Sequence, residues 1–219
     1  KKKIHSKKPS FFADPFIFKK SKKKITLLVE DFSFLFGGQI SKIQVIGDKI
    51  TKQKILSGKH FSYPFIFNNK NKNHLFPEMN EEKRNLMFTI SKNKLKKTQS
   101  YLLGYKVIDP TIIKIKDYYW LFCSLKNKGE NKNLYLFYSK SIFSDWIAHE
   151  KNPVIKNVNF ARNAGNIIQY NGNFYRPSQL SKGENYGSAI IINKILKINN
   201  NVYKEKKVFS ILSEKKYQG

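Results

Sequence analysis

At 219 residues the chain is long enough for one domain with a sizeable core, and a composition of 40% apolar and 15% aromatic residues excludes wholesale disorder. No run approaches the roughly eighteen apolar residues that would span a bilayer, and the basic opening KKKIHSKK leads into FFADPFIF, where Asp14 and Pro15 interrupt any signal-peptide core. The net charge of +27 points to an anionic partner, yet nearly all of it is Lys scattered along the chain, and the only arginines are Arg84, Arg162 and Arg176. Specific nucleic-acid recognition is therefore not expected, while an acidic polymer suits the positive field. A lone Cys123 rules out an intrachain disulfide and fits a reducing compartment; with no visible address, a cytoplasmic location is expected.

In chain order, four strand pairs stand out: ADPFIFKKSKKKITLLVED from Ala13, SYPFIFNNKNKNHLFPEM from Ser62, IDPTIIKIKDYYWLFCSL from Ile108, and ARNAGNIIQYNGNFYRPSQ from Ala161. Each reads as a hairpin: a polar or Pro-containing head, an apolar strand, a turn such as Asn171-Gly172, and an aromatic-rich return strand. The heads, near residues 14, 63, 109 and 162, recur at roughly fifty residues, a period at which propellers come first. Between them lie further short strands, SKIQVIGDKITKQKIL with its Gly47-Asp48 turn, NLMFTIS, YLLGYKVI and NLYLFYSKS. That makes about four strands per repeat, and helix signals are nearly absent. The expected fold is all-β, a β-propeller of four-stranded antiparallel blades forming one domain over residues 1–219; a β-sandwich is the structural alternative.

If the first strand of each hairpin is innermost, its head and the end of its return strand lie at one end of the blade. The converging set is Asp14 with Glu30 and Asp31, Tyr63 with Glu78, Asp109 with Ser124, and Arg162 with Arg176, Ser178 and Gln179. A single Asp before Pro is most simply a turn cap. The whole set, in a chain poor in acids and arginines, points to a functional cleft on one rim. Asp109, at the head of an inner strand, is expected to be buried, ionised and paired with Arg162 or Arg176.

Tyr63 and Tyr186 are among the aromatics able to stack on a sugar face, most of the others serving as core. Trp146, in FSDW, is expected to anchor a blade edge. The histidines His5, His60, His74 and His149 show no ligand spacing, so no metal is expected, and Gly37-Gly38 do not open a phosphate-binding helix, so no cofactor is expected either.

The series FFADPF, HFSYPF, FPE, DPT, YLFYSKSIFSDW, ARNAG, YRPSQ and YG resembles the propeller-like amino-terminal domain of the glucosamine inositolphosphorylceramide transferase family and its bacterial relatives. More distantly it resembles the five-bladed propellers of glycoside hydrolase family 43. That second resemblance implies an Asp base, an Asp that orients and tunes, and a Glu acid; Asp14 resembles the base and Asp109 the tuning residue. The acid has no direct counterpart, because the fourth repeat carries Arg162, Ser178 and Gln179, which leaves Glu78 as the candidate. Hydrolysis needs one carboxyl held protonated, which neighbouring arginines oppose. Five blades are implied and four heads are visible. Either residues 1–10 and 203–219 build part of a fifth blade, or the chain is a fragment of a longer protein; the fragment is the expectation, since an open ring leaves unpaired edges.

Two functions follow as expectations. One is a carbohydrate-active propeller acting on or transferring a glycan in cell-surface polysaccharide biosynthesis, with Asp14, Asp109 and Glu78 catalytic and Glu30, Tyr63, Arg162, Arg176, Ser178, Gln179 and Tyr186 binding substrate. The other is a non-catalytic glycan-binding module serving a glycosyltransferase, in which Arg162 and Arg176 hold an acidic or phosphorylated sugar. Fold alone leaves open whether the chain is an enzyme.

Overall fold

A computed structural model describes residues 10–58, 60–79, 84–91, 94–180 and 187–212. Every regular element among them is a strand, and no helix is long and apolar enough to cross a membrane. The strands form four antiparallel sheets, each with its strands in sequence order. The chain divides into two compact units, residues 1–106 and 107–219, each holding two sheets.

The first unit carries β1 (Ser10–Lys20), β2 (Lys24–Ser33), β3 (Gly37–Ile46) and β4 (Lys49–Leu56), then β5 (Phe61–Asn69), β6 (Lys72–Met79), β7 (Asn85–Ser91) and β8 (Lys94–Tyr101). Its core gathers Leu28, Ile40, Phe61, Leu75, Met79 and Phe88 between the two sheets, and Phe16 of β1 meets Tyr63 of β5 edge to face at 5.0 Å. The second unit carries β9 (Val107–Ile115), β10 (Tyr118–Leu125), β11 (Asn133–Ser139), β12 (Ile147–Ala148) and β13 (Ile155–Lys156), then β14 (Ile168–Tyr170), β15 (Asn173–Gln179), β16 (Ala189–Ile198) and β17 (Tyr203–Leu212). Its core holds Trp120, Phe122, Leu134, Leu136, Ala161 and Ile195. The outer strand of its first sheet is split, β12 and β13 pairing with opposite ends of β11.

The tight hairpins follow their turn chemistry. Asn171 and Gly172 both take positive φ, 46° and 71°, as do Lys70 and Asn71 between β5 and β6, which is the twist a two-residue hairpin loop demands. The structure departs from, or adds to, the sequence reading at four points. YLLGYKVI is not one strand: β8 ends at Tyr101, Leu102 and Gly104 turn the chain with positive φ, and β9 begins at Val107. Lys94–Tyr101, rich in lysine and outermost in its sheet, is a strand that no apolar alternation announces. Residues 203–212 belong to the fourth sheet, pairing with β16 along their length, and not to a further blade. The fourth inner strand starts at Ile168 instead of near Arg162, although Asn163 still bridges to Ser178 and Arg162 O still accepts from Gln179 N, so the ladder resumes on the far side of Gly165.

Candidate functional site

The heads of β1, β5 and β9 share one backbone device. In each, two residues ending in proline oppose a single residue of the next strand: Asp14-Pro15 face Val29, Tyr63-Pro64 face Pro77, and Asp109-Pro110 face Cys123. These are β-bulges, where proline's missing N–H costs no ladder hydrogen bond. The residue before each proline is left-handed, with φ of 47° at Asp14, 42° at Tyr63 and 49° at Asp109. Asp tolerates that region; a bulky Tyr there is a true outlier, held because its ring is packed against Phe16. The bulge explains an Asp inside an apolar strand: it turns the head residue out of the regular alternation.

In the second unit Asp109 is 4% exposed, and Arg162 Nε donates to its Oδ2 at 2.6 Å. Arg162 Nη1 donates to Asn131 Oδ1 at 2.9 Å, which fixes the guanidinium plane. Asn163, next in sequence, donates from Nδ2 to the carbonyls of Asp109 (2.8 Å) and Phe122 (3.0 Å), and its Oδ1 accepts from Arg176 Nη1. Arg176 is fully buried and bidentate to Glu205, Nη2 to Oε1 at 2.6 Å and Nε to Oε2 at 2.9 Å, with further bonds to the carbonyls of Phe160 and Ala161. Tyr203 Oη also donates to Glu205. Burial alone would lower the Arg176 pKa, but the facing Glu205 outweighs it and holds the guanidinium charged; burial and then Glu205 push the Tyr203 phenol up. Burial, with Asp109 beside it, pushes the Cys123 thiol up and keeps it unreactive.

In the first unit Asp14 and Glu78 are half-buried. Glu30 and Asp31, adjacent on β2, are both buried and project to opposite faces of the sheet. Asp31 accepts from Ser41 Oγ at 2.8 Å and Lys52 Nζ at 2.9 Å. Glu30 Oε1 lies 3.9 Å from His60 Nε2, while His60 Nδ1 accepts from Gly38 N at 3.0 Å, which assigns the ring proton to Nε2, toward the carboxylate. A Cβ at Gly38 would fall 2.7 Å from Glu30 Oε1 and from Phe61 O, and 2.8 Å from His60 Cε1, so this position admits only glycine.

The structure thus joins Asp109 to Arg162 as expected, and brings Glu30, Tyr63 and Glu78 to the same end of their strands as Asp14, within the first unit. It does not bring Arg176 or Ser178 to a surface: both are completely buried, Ser178 Oγ bonding within its sheet to Asn193 and Ile191. Gln179 is half-buried at the end of β15, and Tyr186 lies outside the described residues. Sequence reasoning missed Asn163, Asn131, Glu205 and the Glu30–His60–Gly38 contact. Asn163 was legible, standing beside Arg162 in ARNAG, whereas Glu205 is masked by the lysines of KEKK.

The family model described as glucosamine inositolphosphorylceramide transferase 1, N-terminal, matches residues 2–219. The chain is 31% identical over 227 residues to the glucosamine inositolphosphorylceramide transferase 1 of Arabidopsis thaliana, covering 94% of this chain and 28% of that protein. It is 33% identical over 152 residues to that of Oryza sativa subsp. japonica, covering 67% and 20%. The chain therefore spans between a fifth and just over a quarter of the length of these curated relatives. Among solved structures it is similar to a family 43 β-1,3-galactosidase determined with galactodeoxynojirimycin, with a TM-score of 0.67 at 10% identity over 90% of this chain and 75% of that one. Together with the four sequential antiparallel blades, this likeness establishes the β-propeller fold class.

Proposed function

The chain belongs to the glucosamine inositolphosphorylceramide transferase 1 N-terminal family, and from that premise we propose that it is a carbohydrate-recognising propeller serving glycosyl transfer. The observation that carries this reading is the Asp109–Arg162 pair. A carboxylate bonded at 2.6 Å to a guanidinium that Asn131 also holds is fixed in direction, and is suited to accepting hydrogen bonds from sugar hydroxyls. Neither arginine is available to an acidic sugar, since Asp109 and Glu205 already compensate them, so at these heads the ligand is read by carboxylates.

A second reading, catalysis, is favoured by one observation: Asp14 and Asp109 repeat the same strained, bulged, left-handed backbone, the kind of outlier that clusters at reacting centres. In that reading Asp14 is the base and Glu78 the acid, both in the first unit, in building a cell-surface polysaccharide. An oligosaccharide array followed by product analysis separates the two. Binding without turnover supports recognition, turnover abolished by Asp14→Asn supports catalysis, and absence of both rejects a carbohydrate role.

A further inference from the structure

The two-residue hairpin turns among the described residues, Gly47-Asp48, Lys70-Asn71, Lys116-Asp117 and Asn171-Gly172, are built from charged, amide and glycine residues. That is ordinary turn chemistry. The β2–β3 turn departs from it. Ser33 pairs with Gly37, and the three residues between them are Phe34, Leu35 and Phe36, exposed to 72%, 80% and 66%. A composition rich in lysine and asparagine does not put three large apolar side chains in succession there. The turn does not need them either. Ser33 holds its backbone, the carbonyl accepting from Phe36 N at 3.2 Å and Oγ from Leu35 N at 3.3 Å, and Gly37 closes it with a φ of 71°.

Ring contacts extend this apolar tip along the sheet. Phe34 meets Phe32 edge to face at 5.4 Å, and Phe32 stacks at 4.8 Å on the exposed Phe11 across the β1–β2 pair. An exposed apolar projection of this kind marks a place of interaction. It stands at the strand-head end of the first unit, with Glu30 three strand residues, about 10 Å, behind the turn.

We propose that the Phe34-Leu35-Phe36 tip inserts into the interfacial layer of an anionic lipid bilayer and so holds the strand-head end of the first unit at the headgroups. A stable protein interface uses roughly twenty to thirty residues a side, far more than a three-residue tip supplies. A bilayer requires no matching pocket, and apolar side chains of interfacial segments enter it to a depth of about 5–10 Å. Charge selects the same partner, whatever the origin of the lysines: a net +27 repels a second copy of the chain and is drawn to anionic lipid. The two carboxylates of β2 offer little opposition, because Asp31 is paired with Lys52 and Glu30 faces His60.

The test uses the whole chain with vesicles of phosphatidylcholine and phosphatidylserine, and with vesicles of phosphatidylcholine alone. Wild type is expected to bind the mixed vesicles at least tenfold more tightly than the neutral ones. Phe34→Ser/Leu35→Ser/Phe36→Ser is expected to lose at least tenfold in affinity for the mixed vesicles and to melt as wild type does. Leu103→Ser/Leu196→Ser/Leu212→Ser, which removes three exposed apolar side chains elsewhere, is expected to lose less than about twofold. Insertion is read directly from Leu35→Cys carrying an environment-sensitive dye, which labels that position selectively because the native Cys123 is buried. Its emission is expected to shift to the blue on mixed vesicles and to be quenched by bromine on the lipid acyl chains. An unshifted dye, equal losses in the two triple variants, equal affinity for neutral vesicles, or a tip variant that melts lower would overturn the proposal. So would a wild-type dimer in sedimentation that the tip variant abolishes, which would assign the tip to a second copy. Docking by the tip is independent of what the Asp109 end recognises.

Discussion

Two aspartates, Asp14 on β1 and Asp109 on β9, occupy the same bulge before the same residue with nearly the same φ, yet their surroundings differ. Asp109 is buried, clamped by Arg162, and has its carbonyl tied down by Asn163; Asp14 is half-buried at the head of a strand whose neighbours, Glu30 and Asp31, are themselves acidic. The backbone device is thus separable from the electrostatics placed on it. The bulge positions a carboxylate, and the partner supplied by a different sheet decides what that carboxylate is able to do. In the second unit that partner comes with a second layer, since Asn163 links Asp109 to Arg176 and through it to Glu205.

The largest expected effect lies in that second layer. Glu205→Leu leaves the fully buried Arg176 without its counter-charge and is expected to cost about 3–5 kcal/mol, read as a lower midpoint in urea. Asp109→Leu is expected to cost nearly as much, because Arg162 loses its partner. A loss at Asp109 below about 1 kcal/mol would break the account of that clamp. Gly38→Ala drives a methyl group into Glu30, Phe61 and His60 and is expected to cost about 1–3 kcal/mol, testing whether the first unit's carboxylates are as tightly packed as the second's.

A smaller effect concerns pH. His149 accepts from Lys151 N at Nδ1 and donates from Nε2 to Asn199 O, an arrangement only the neutral ring satisfies, and burial lowers its pKa; burial, with Lys72, lowers that of His74 as well. The unfolded chain then binds protons that the folded chain refuses. Stability is full above the ordinary histidine value of about 6.5 and declines as pH falls through it. Melting between pH 8 and pH 5 should show this decline, and His149→Gln should flatten it.

Much of the fold was legible because proline and turn residues carry it. Asp-Pro and Tyr-Pro spell the bulged heads, Asn171-Gly172 and Gly47-Asp48 spell turns, and Asn85–Ser91 carries the short apolar run of a strand. Outermost strands rich in lysine, Lys94–Tyr101 above all, leave no apolar pattern to read. The site was legible at Asp109 and Arg162, where a rare arginine meets a misplaced acid. It was misread at Arg176, whose counter-charge lies twenty-nine residues on.

The central claim is that Asp109 is held by Arg162 in order to bind a glycan, and Asp109→Asn tests it most directly, because the change keeps the shape and removes the charge. On the best ligand from an array of acidic and neutral oligosaccharides, a binding isotherm and a melting curve should be recorded side by side with wild type. The account predicts at least a tenfold loss of affinity with the fold retained and melting cooperative. Unchanged affinity together with a large drop in melting temperature would contradict it and make Asp109 a structural residue.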